Sequence, residues 1–283
     1  MTRLGDVLRL ATDGLKAAGV VSARLDARLL LARALGVDGA WVFSHPDHVL
    51  QSAEAAAFDR LLARRRRREP MSHILGQREF WSMPFKVTAD TLDPRPDSET
   101  VIEAILEQLP DRRAPLSVLD LGTGSGCLLL ALLSELPSAT GLGVDISPAA
   151  LVVAGDNARA LGLAGRARLQ LGEWGAGLTG PFDIIVANPP YIADGELAGL
   201  APEVRCFEPR LALAGGPDGL AAYRALASQV ARLLASSPPA IVAFEVGAGQ
   251  APAVSVLLQA AGLAAPTVRR DLGRVERCVI AVR

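Results

Sequence analysis

Val118-Leu119-Asp120-Leu121-Gly122-Thr123-Gly124-Ser125-Gly126 reads as an apolar strand entering a glycine loop, and residues 127–136 continue as an apolar helix. The glycines let the backbone turn sharply and approach a ligand closely. The N–H groups that open the following helix face the same place. Outward from this loop the chain alternates. Strands are predicted at 117–121, 141–145, 167–171, 182–187 and 240–246, and helices at 127–136, 148–161, 220–234 and 251–261. The first four strands read as apolar on nearly every residue, the pattern of a parallel sheet covered on both faces. Two more strand segments, 265–270 and 277–282, complete a doubly wound α/β domain on a mostly parallel seven-stranded sheet.

Upstream of the sheet the text is helical. Thr2 reads as an N-cap, and Leu4, Val7, Leu8, Ala11 and Leu15 follow at helical spacing up to Gly19. Ser22 starts a second helix ended by Gly36, a short piece surrounds 41–43, and Ser52 starts a helix that runs into Arg64-Arg65-Arg66-Arg67-Arg68 before Glu69-Pro70. Residues 71–96 change character: Phe80, Trp81, Phe85 and Val87 sit among Gly76, Pro84, Pro94 and Pro96, as in a hairpin followed by a stiff turn. The expected organisation is a helical domain over 1–70, a hairpin linker over 71–96 and the α/β domain over 97–283.

Composition narrows the class. The 283 residues are 50% apolar and 21% charged, with a formal net charge of -1, which excludes a disordered, collagenous or disulfide-stapled chain. Twenty-seven arginines stand against two lysines along the whole chain. Cys127, Cys206 and Cys278 lie far apart with no CxxC, and the three histidines form no obvious ligand set. No metal site is expected. No signal peptide opens the chain, and no apolar run reaches the length of a membrane span, so a soluble, cytoplasmic protein is expected. A monomer is the expected state.

Asp145 ends the strand after the glycine loop, where a carboxylate can accept hydrogen bonds from both hydroxyls of a ribose. The spacing is GxGxG, not the GxGxxG of dinucleotide sites, and Asp120 just before the loop suits a cationic or amino-bearing ligand better than a pyrophosphate. The local residues favour S-adenosylmethionine over NAD. Trp174, after the third strand, can hold adenine or belong to the core.

Asp183-Ile184-Ile185-Val186-Ala187-Asn188-Pro189-Pro190-Tyr191 carries the chemistry. Two prolines stiffen the turn and remove two backbone donors while leaving their carbonyls. The turn stands at the carboxyl edge of the sheet, where open α/β folds bind ligands. A planar nitrogen has its lone pair delocalised into its carbonyl or ring. Two acceptors on its N–H bonds hold it and favour pyramidalisation. The Asn188 side-chain oxygen and the Pro189 carbonyl are those candidates, with Tyr191 covering the flat face. This is positioning with electrostatic preorganisation, and it requires no strong base.

With these residues the chain resembles the class I S-adenosylmethionine-dependent methyltransferases, and more narrowly the HemK/PrmC-type protein-(glutamine-N5) methyltransferases. The resemblance covers essentially the whole chain. It rests on Arg68-Glu69-Pro70, Ile74-Leu75-Gly76, Glu79-Phe80, Pro94-Arg95-Pro96-Asp97-Ser98-Glu99, the 119–126 glycine loop, Asn188-Pro189-Pro190-Tyr191, Glu208-Pro209-Arg210 and Gly215-Gly216-Pro217-Asp218-Gly219. It implies a Rossmann-like catalytic domain with a small helical domain ahead of it. It implies S-adenosylmethionine contacts by Gly122, Thr123, Gly124, Ser125, Gly126, Asp145, Trp174 and Asn188. It implies that Asn188, Pro189, Pro190 and Tyr191 hold the glutamine of a Gly-Gly-Gln loop in bacterial peptide chain release factors. His73, Asp93 and Asp97 depart from the family's usual residues.

Other readings of the same turn are a glutamine methyltransferase for a ribosomal protein and a methylase of exocyclic amino groups on nucleic-acid bases. The latter must bind a polyanion, and a net charge of -1 gives no overall basic surface, the Arg64–Arg68 run being the one strong basic patch in the sequence. A non-enzymatic module is disfavoured by the complete turn and loop. The five-arginine run reads as a solvated helix end favoured by the helix dipole, or as a patch for an acidic partner.

Overall fold

Leu4, Ala11 and Leu15 line one face of α1 (Leu4–Ala17) and are buried. The computed structural model describes residues 3–283, so the expected cap at Thr2 lies outside the described residues. Gly36, in the left-handed region at φ 70°, ends α2 (Ala23–Leu35). Asp38 caps α3 (Gly39–Ser44) by accepting the Trp41 N–H. Ser52 starts α4 (Ser52–Arg66), as expected; Gln51 caps it, and its N–H is taken by Glu54 at 2.8 Å. A further helix, α5 (Met71–Leu75), follows Pro70. Together with 201–207 these helices form one compact unit around Leu15, Leu30, Leu31, Phe58 and Leu62.

Three of the five arginines that close α4 are held by acidic side chains of the same unit, a correction to the reading of the whole run as a solvated helix end. Arg65 is buried; its Nε donates to Asp26 at 2.7 Å and its Nη1 to Glu203 at 3.1 Å. Arg68 donates through Nε and Nη2 to the two oxygens of Glu203 at 2.5 and 2.7 Å. Arg64 grips Glu69 through two nitrogens. Only Arg66 and Arg67 are exposed.

The second unit spans 77–200 and 208–283. It begins with the antiparallel hairpin β1 (Gln77–Phe80) and β2 (Met83–Lys86), so the expected linker is divided between a helix in the first unit and a hairpin in the second. Then come α6 (Glu99–Glu107), β3 (Ser117–Leu121), α7 (Cys127–Glu135), β4 (Thr140–Asp145), α8 (Pro148–Ala160), β5 (Ala167–Leu171) and β6 (Ile184–Ala187). The chain next contributes α9 (Pro202–Phe207) to the helical unit. It returns as α10 (Ala221–Leu233), β7 (Ile241–Glu245), α11 (Ala251–Ala260), β8 (Thr267–Arg270) and β9 (Glu276–Val282).

The seven strands lie in the order β5-β4-β3-β6-β7-β9-β8, parallel except for β9, which is antiparallel to both neighbours. Successive side chains of a strand point to opposite faces. Val118, Ile184 and Val186 accordingly join the core under α6 and α7, while Leu119, Leu121 and Ile185 join the core under α10 and α11. One strand departs from the sequence reading. Ala167-Arg168-Leu169-Gln170-Leu171 alternates, and β5 is mostly exposed because it is a sheet edge with one neighbour. The order turns at β3, flanked by β4 and β6, so a crevice opens beyond the carboxyl ends of these strands. No helix among the described residues is long and apolar enough to cross a membrane.

Candidate active site

Gly122, Gly124 and Gly126 all adopt positive φ (80°, 55° and 81°), which only glycine enters freely. The loop is pinned to its neighbour strand: the N–H groups of Gly122 and Thr123 both donate to the Val144 carbonyl. Asp145, at the end of β4, accepts the Gly124 N–H at 2.8 Å on one oxygen and the Ser147 N–H at 2.9 Å on the other. Each carboxylate oxygen keeps a lone pair for a further donor. The loop and this carboxylate are thus one preorganised piece.

Beside them lies a cavity of about 450 Å³, within the range of small-molecule sites. Its wall brings together Gly122, Thr123, Gly124, Ser125, Asp145, Trp174, Asn188 and Pro190, drawn from the ends of four strands. Gly126 is not part of that wall; a Cβ there would press on Leu130 and Ala154, so this glycine serves loop–helix packing. Trp174 packs against the core and also lines the cavity, with Cζ3 only 3.2 Å from where a Cβ on Gly122 would stand.

Asn188 follows β6, and its Nδ2 donates to the Ser98 hydroxyl at 3.4 Å. Pro189 and Tyr191 do not line the cavity among the described residues: Pro189 is buried, and Tyr191 packs on the second core. Burial pushes the Tyr191 phenol up to about 12, with Glu245 adding to the shift, so it stays protonated and offers no base.

Two quoted motifs acquire a physical reason here. The glycine block at 215–219 leaves room for the turn: a Cβ on Gly215 would stand 2.8 Å from the Pro190 carbonyl, and one on Gly219 would overlap the Tyr191 carbonyl. Gly215 N–H donates to Ile192 at 2.8 Å and Gln250 Nε2 to the Tyr191 carbonyl at 2.9 Å, which holds the turn from behind. Arg95, from the Pro-Arg-Pro block, donates to both oxygens of buried Glu208 at 2.6 and 2.8 Å. The departure at position 93 lies in the same cluster, where buried Asp93 stands 3.6 Å from Arg95.

Two buried carboxyls adjoin the turn and loop. Asp120 accepts from the Thr123 hydroxyl at 2.7 Å, while its Oδ1 has no hydrogen-bond partner among the described residues. Burial, with Asp145 nearby, raises it to about 7. Glu245 ends β7 at 1% exposure, and burial raises it likewise to about 7. Glu245 and Gln250 escape the sequence reading. The available signal is the lone acid in Ile241-Val242-Ala243-Phe244-Glu245-Val246, an otherwise apolar strand ending at the ligand edge of the sheet.

Both units have counterparts among known families. Residues 6–76 match the PrmC N-terminal domain and residues 113–234 a methyltransferase domain. The release factor glutamine methyltransferase of Rhodospirillum rubrum is 50% identical over 283 residues, covering 99% of this chain and 85% of that protein. That of Cereibacter sphaeroides is 48% identical, covering 99% and 98%. The structure of the hMettl16 catalytic domain with the MAT2A 3'UTR hairpin 1 shares the fold at TM-score 0.59 and 16% identity, over 78% of this chain and 80% of that one. Full-length similarity of this degree, on top of the glycine loop and the Asn-Pro-Pro-Tyr turn, means that this chain belongs to the release factor glutamine methyltransferase family.

Proposed function

We propose that this protein transfers a methyl group from S-adenosylmethionine to the side-chain amide nitrogen (N5) of the glutamine in the Gly-Gly-Gln motif of bacterial peptide chain release factors. The observation that carries the proposal is Asn188 standing in the wall of the same cavity as the glycine loop and Asp145. The name borne by relatives up to 50% identical supports the glutamine of a release factor as the acceptor.

The residues fit the methyl donor. The space a Cβ on Gly124 would fill is open, so the ligand can lie against the loop backbone. Asp145 would take the ribose hydroxyls on its remaining lone pairs, and the Trp174 ring would lie along the adenine. Asp120, with an unpartnered oxygen, would answer the positive end. When bound, S-adenosylmethionine supplies an electrophilic methyl on a sulfonium.

On the acceptor side, Asn188 Oδ1 takes one N–H of the glutamine amide from the cavity wall; the Pro189 carbonyl, set behind that wall, is the second acceptor the turn offers once the amide has entered. The lone pair is thereby freed from its carbonyl toward the methyl. The proton leaves after transfer, from a nitrogen made far more acidic, to water or these acceptors. Pro190 lines the cavity and flanks the amide in place of Tyr191, which supports the turn from the core side.

The test is methylation of a release factor with labelled S-adenosylmethionine, located by mass spectrometry. Label is expected on the Gly-Gly-Gln glutamine and on nothing in a Gln→Ala release factor. Label on nucleic acid or on the Gln→Ala protein would overturn the assignment. Calorimetry should show binding of S-adenosylmethionine and not of NAD. Asp145→Ala is expected to weaken that binding about tenfold or more, the effect of losing one charge-assisted hydrogen bond set. Unchanged affinity would remove Asp145 from the site.

A further inference from the structure

We propose that Glu245 and Ser98 are positioning residues that hold the Asn188 amide with its oxygen toward the reacting nitrogen. The inference rests on the glutamine-methylating reading and deepens it. An asparagine amide has two ends of nearly equal size and opposite polarity. Presented oxygen first, it accepts the substrate N–H; presented nitrogen first, it opposes a donor with a donor. Something must choose between them.

Asn188 Nδ2 donates to the Ser98 hydroxyl oxygen at 3.4 Å. Ser98 is 2% exposed and closes the single 3-10 turn Pro96–Ser98 ahead of α6, so its position is fixed by the backbone. The Glu245 carboxyl group stands next to that hydroxyl, near enough for Ser98 to favour its ionised form. Glu245 Oε2 is buried with no hydrogen-bond partner among the described residues. A buried carboxyl with an unsatisfied oxygen is costly in a core, and structural packing alone gives no reason to place one there.

The chain of donors has one consistent direction. An ionised carboxylate can only accept. Ser98 must then give its proton to Glu245, which leaves the hydroxyl oxygen as an acceptor. Asn188 must meet that acceptor with its nitrogen, which turns Oδ1 the other way. A protonated Glu245 can donate to Ser98 instead. The Ser98 proton is then released to seek Asn188 Oδ1, and the amide is free to turn over.

The charged and titratable groups around Glu245 come from every side. Arg277 on β9 opposes protonation, as does Arg95, while Asp97 favours it. The Tyr191 and Tyr223 phenols and the Cys278 thiol are all raised, in part by Glu245 itself, and stay neutral. Glu245 is the group among these that changes charge near neutrality. The ionised, orienting form is populated as pH rises through about 7. Activity governed by this relay therefore falls on the acid side.

The experiment is single-turnover methylation of a Gly-Gly-Gln release factor between pH 5.5 and 9. It compares wild type, Ser98→Ala, Glu245→Gln, Asn188→Ala and the Ser98→Ala/Asn188→Ala double variant, each checked for folding by its melting curve. Ser98→Ala should lower kcat about threefold to tenfold, the value of one hydrogen bond, with little change in KM. Glu245→Gln should lose one protonation from the acid limb. Asp120, the other carboxyl near 7, is common to both enzymes, so the comparison isolates Glu245. Ser98→Ala should add nothing on the Asn188→Ala background, because both act through one amide.

A full acid limb in Glu245→Gln, or additive losses in the double variant, would overturn the relay. Wild-type transfer that persists on a Gln→Ala release factor would overturn the substrate reading instead. Should Glu245→Gln not fold, Ser98→Ala and the double variant decide the matter alone.

Discussion

A folded Asn188→Ala protein is expected to transfer methyl groups roughly 10²–10³ more slowly than wild type, the effect of removing one preorganised hydrogen-bonding group from a reacting centre. The reasoning starts from the acceptor. A primary amide nitrogen is a poor nucleophile because its lone pair is shared with the carbonyl. Holding both N–H bonds on fixed acceptors raises electron density at nitrogen without any base. Asn188 is the side chain at the carboxyl end of β6 that lines the cavity, and its neighbours on the turn are prolines with no N–H to compete. The turn does not depend on the Asn188 side chain for its shape. It is held by Gln250 on the Tyr191 carbonyl and by the Ile192–Gly215 hydrogen bond. Stability should therefore change little. Asn188→Asp is informative in the opposite direction: it keeps an acceptor but adds charge near a sulfonium. It should tighten donor binding and still slow transfer, since binding shared by ground and transition states does not raise turnover. Rapid-quench measurement of a single turnover reads the step directly. A near-wild-type rate in Asn188→Ala would remove this mechanism.

The catalytic frame was legible because its signals are local. Strand β3, three glycines and α7 are consecutive in the chain. The buried strands β6 and β7 announce themselves by apolar runs that no exposed element would carry. What stayed illegible depends on partners far away in sequence. Glu245 looks like any strand-end acid until Ser98, nearly 150 positions earlier, is seen against it. The partners of Gly215 and Gly219 are backbone atoms of residues 190 and 191, and a glycine-rich stretch gives no hint of what it makes room for. The edge strand β5 departs from its apolar reading because two leucines and an alanine in five residues look buried, whereas Arg168, Gln170 and Leu171 are exposed on a strand with one neighbour. The arginine run failed for a related reason. Charge read along a line says nothing about which side chains turn inward.

That run leads to the second large effect: Arg65→Ala is expected to destabilise the helical unit by about 3–5 kcal/mol, as when one member of a buried ion pair is removed. Arg65 sits between two acids, Asp26 on α2 and Glu203 on α9, and its Nη1 also donates to the Glu69 carbonyl at 3.0 Å. The side chains of Arg65 and Asp26 are 7% and 4% exposed, so water cannot replace the lost partner. Truncation leaves the Asp26 carboxylate buried with its neutralising charge gone. Glu203 suffers less, because Arg68 still holds both of its oxygens. An apolar pair of similar volume, Asp26→Leu with Arg65→Met, should recover most of the loss, since it removes the charge along with its partner. Arg67→Ser, on the exposed side of the run, should stay within about 0.5 kcal/mol of wild type. Urea unfolding gives the magnitudes, and hydrogen exchange of α2 and α4 peptides places the loss in the helical unit. A penalty for Arg65→Ala below about 1 kcal/mol, the value of an exposed ion pair, would mean the run is a solvated helix end after all. The expected result has a consequence for partner binding. Replacing all five arginines at once would unfold the unit that carries them. Any contribution of this run to capturing an acidic protein has to be sought in Arg66 and Arg67 alone, as a salt-dependent association rate in a protein whose melting curve is unchanged.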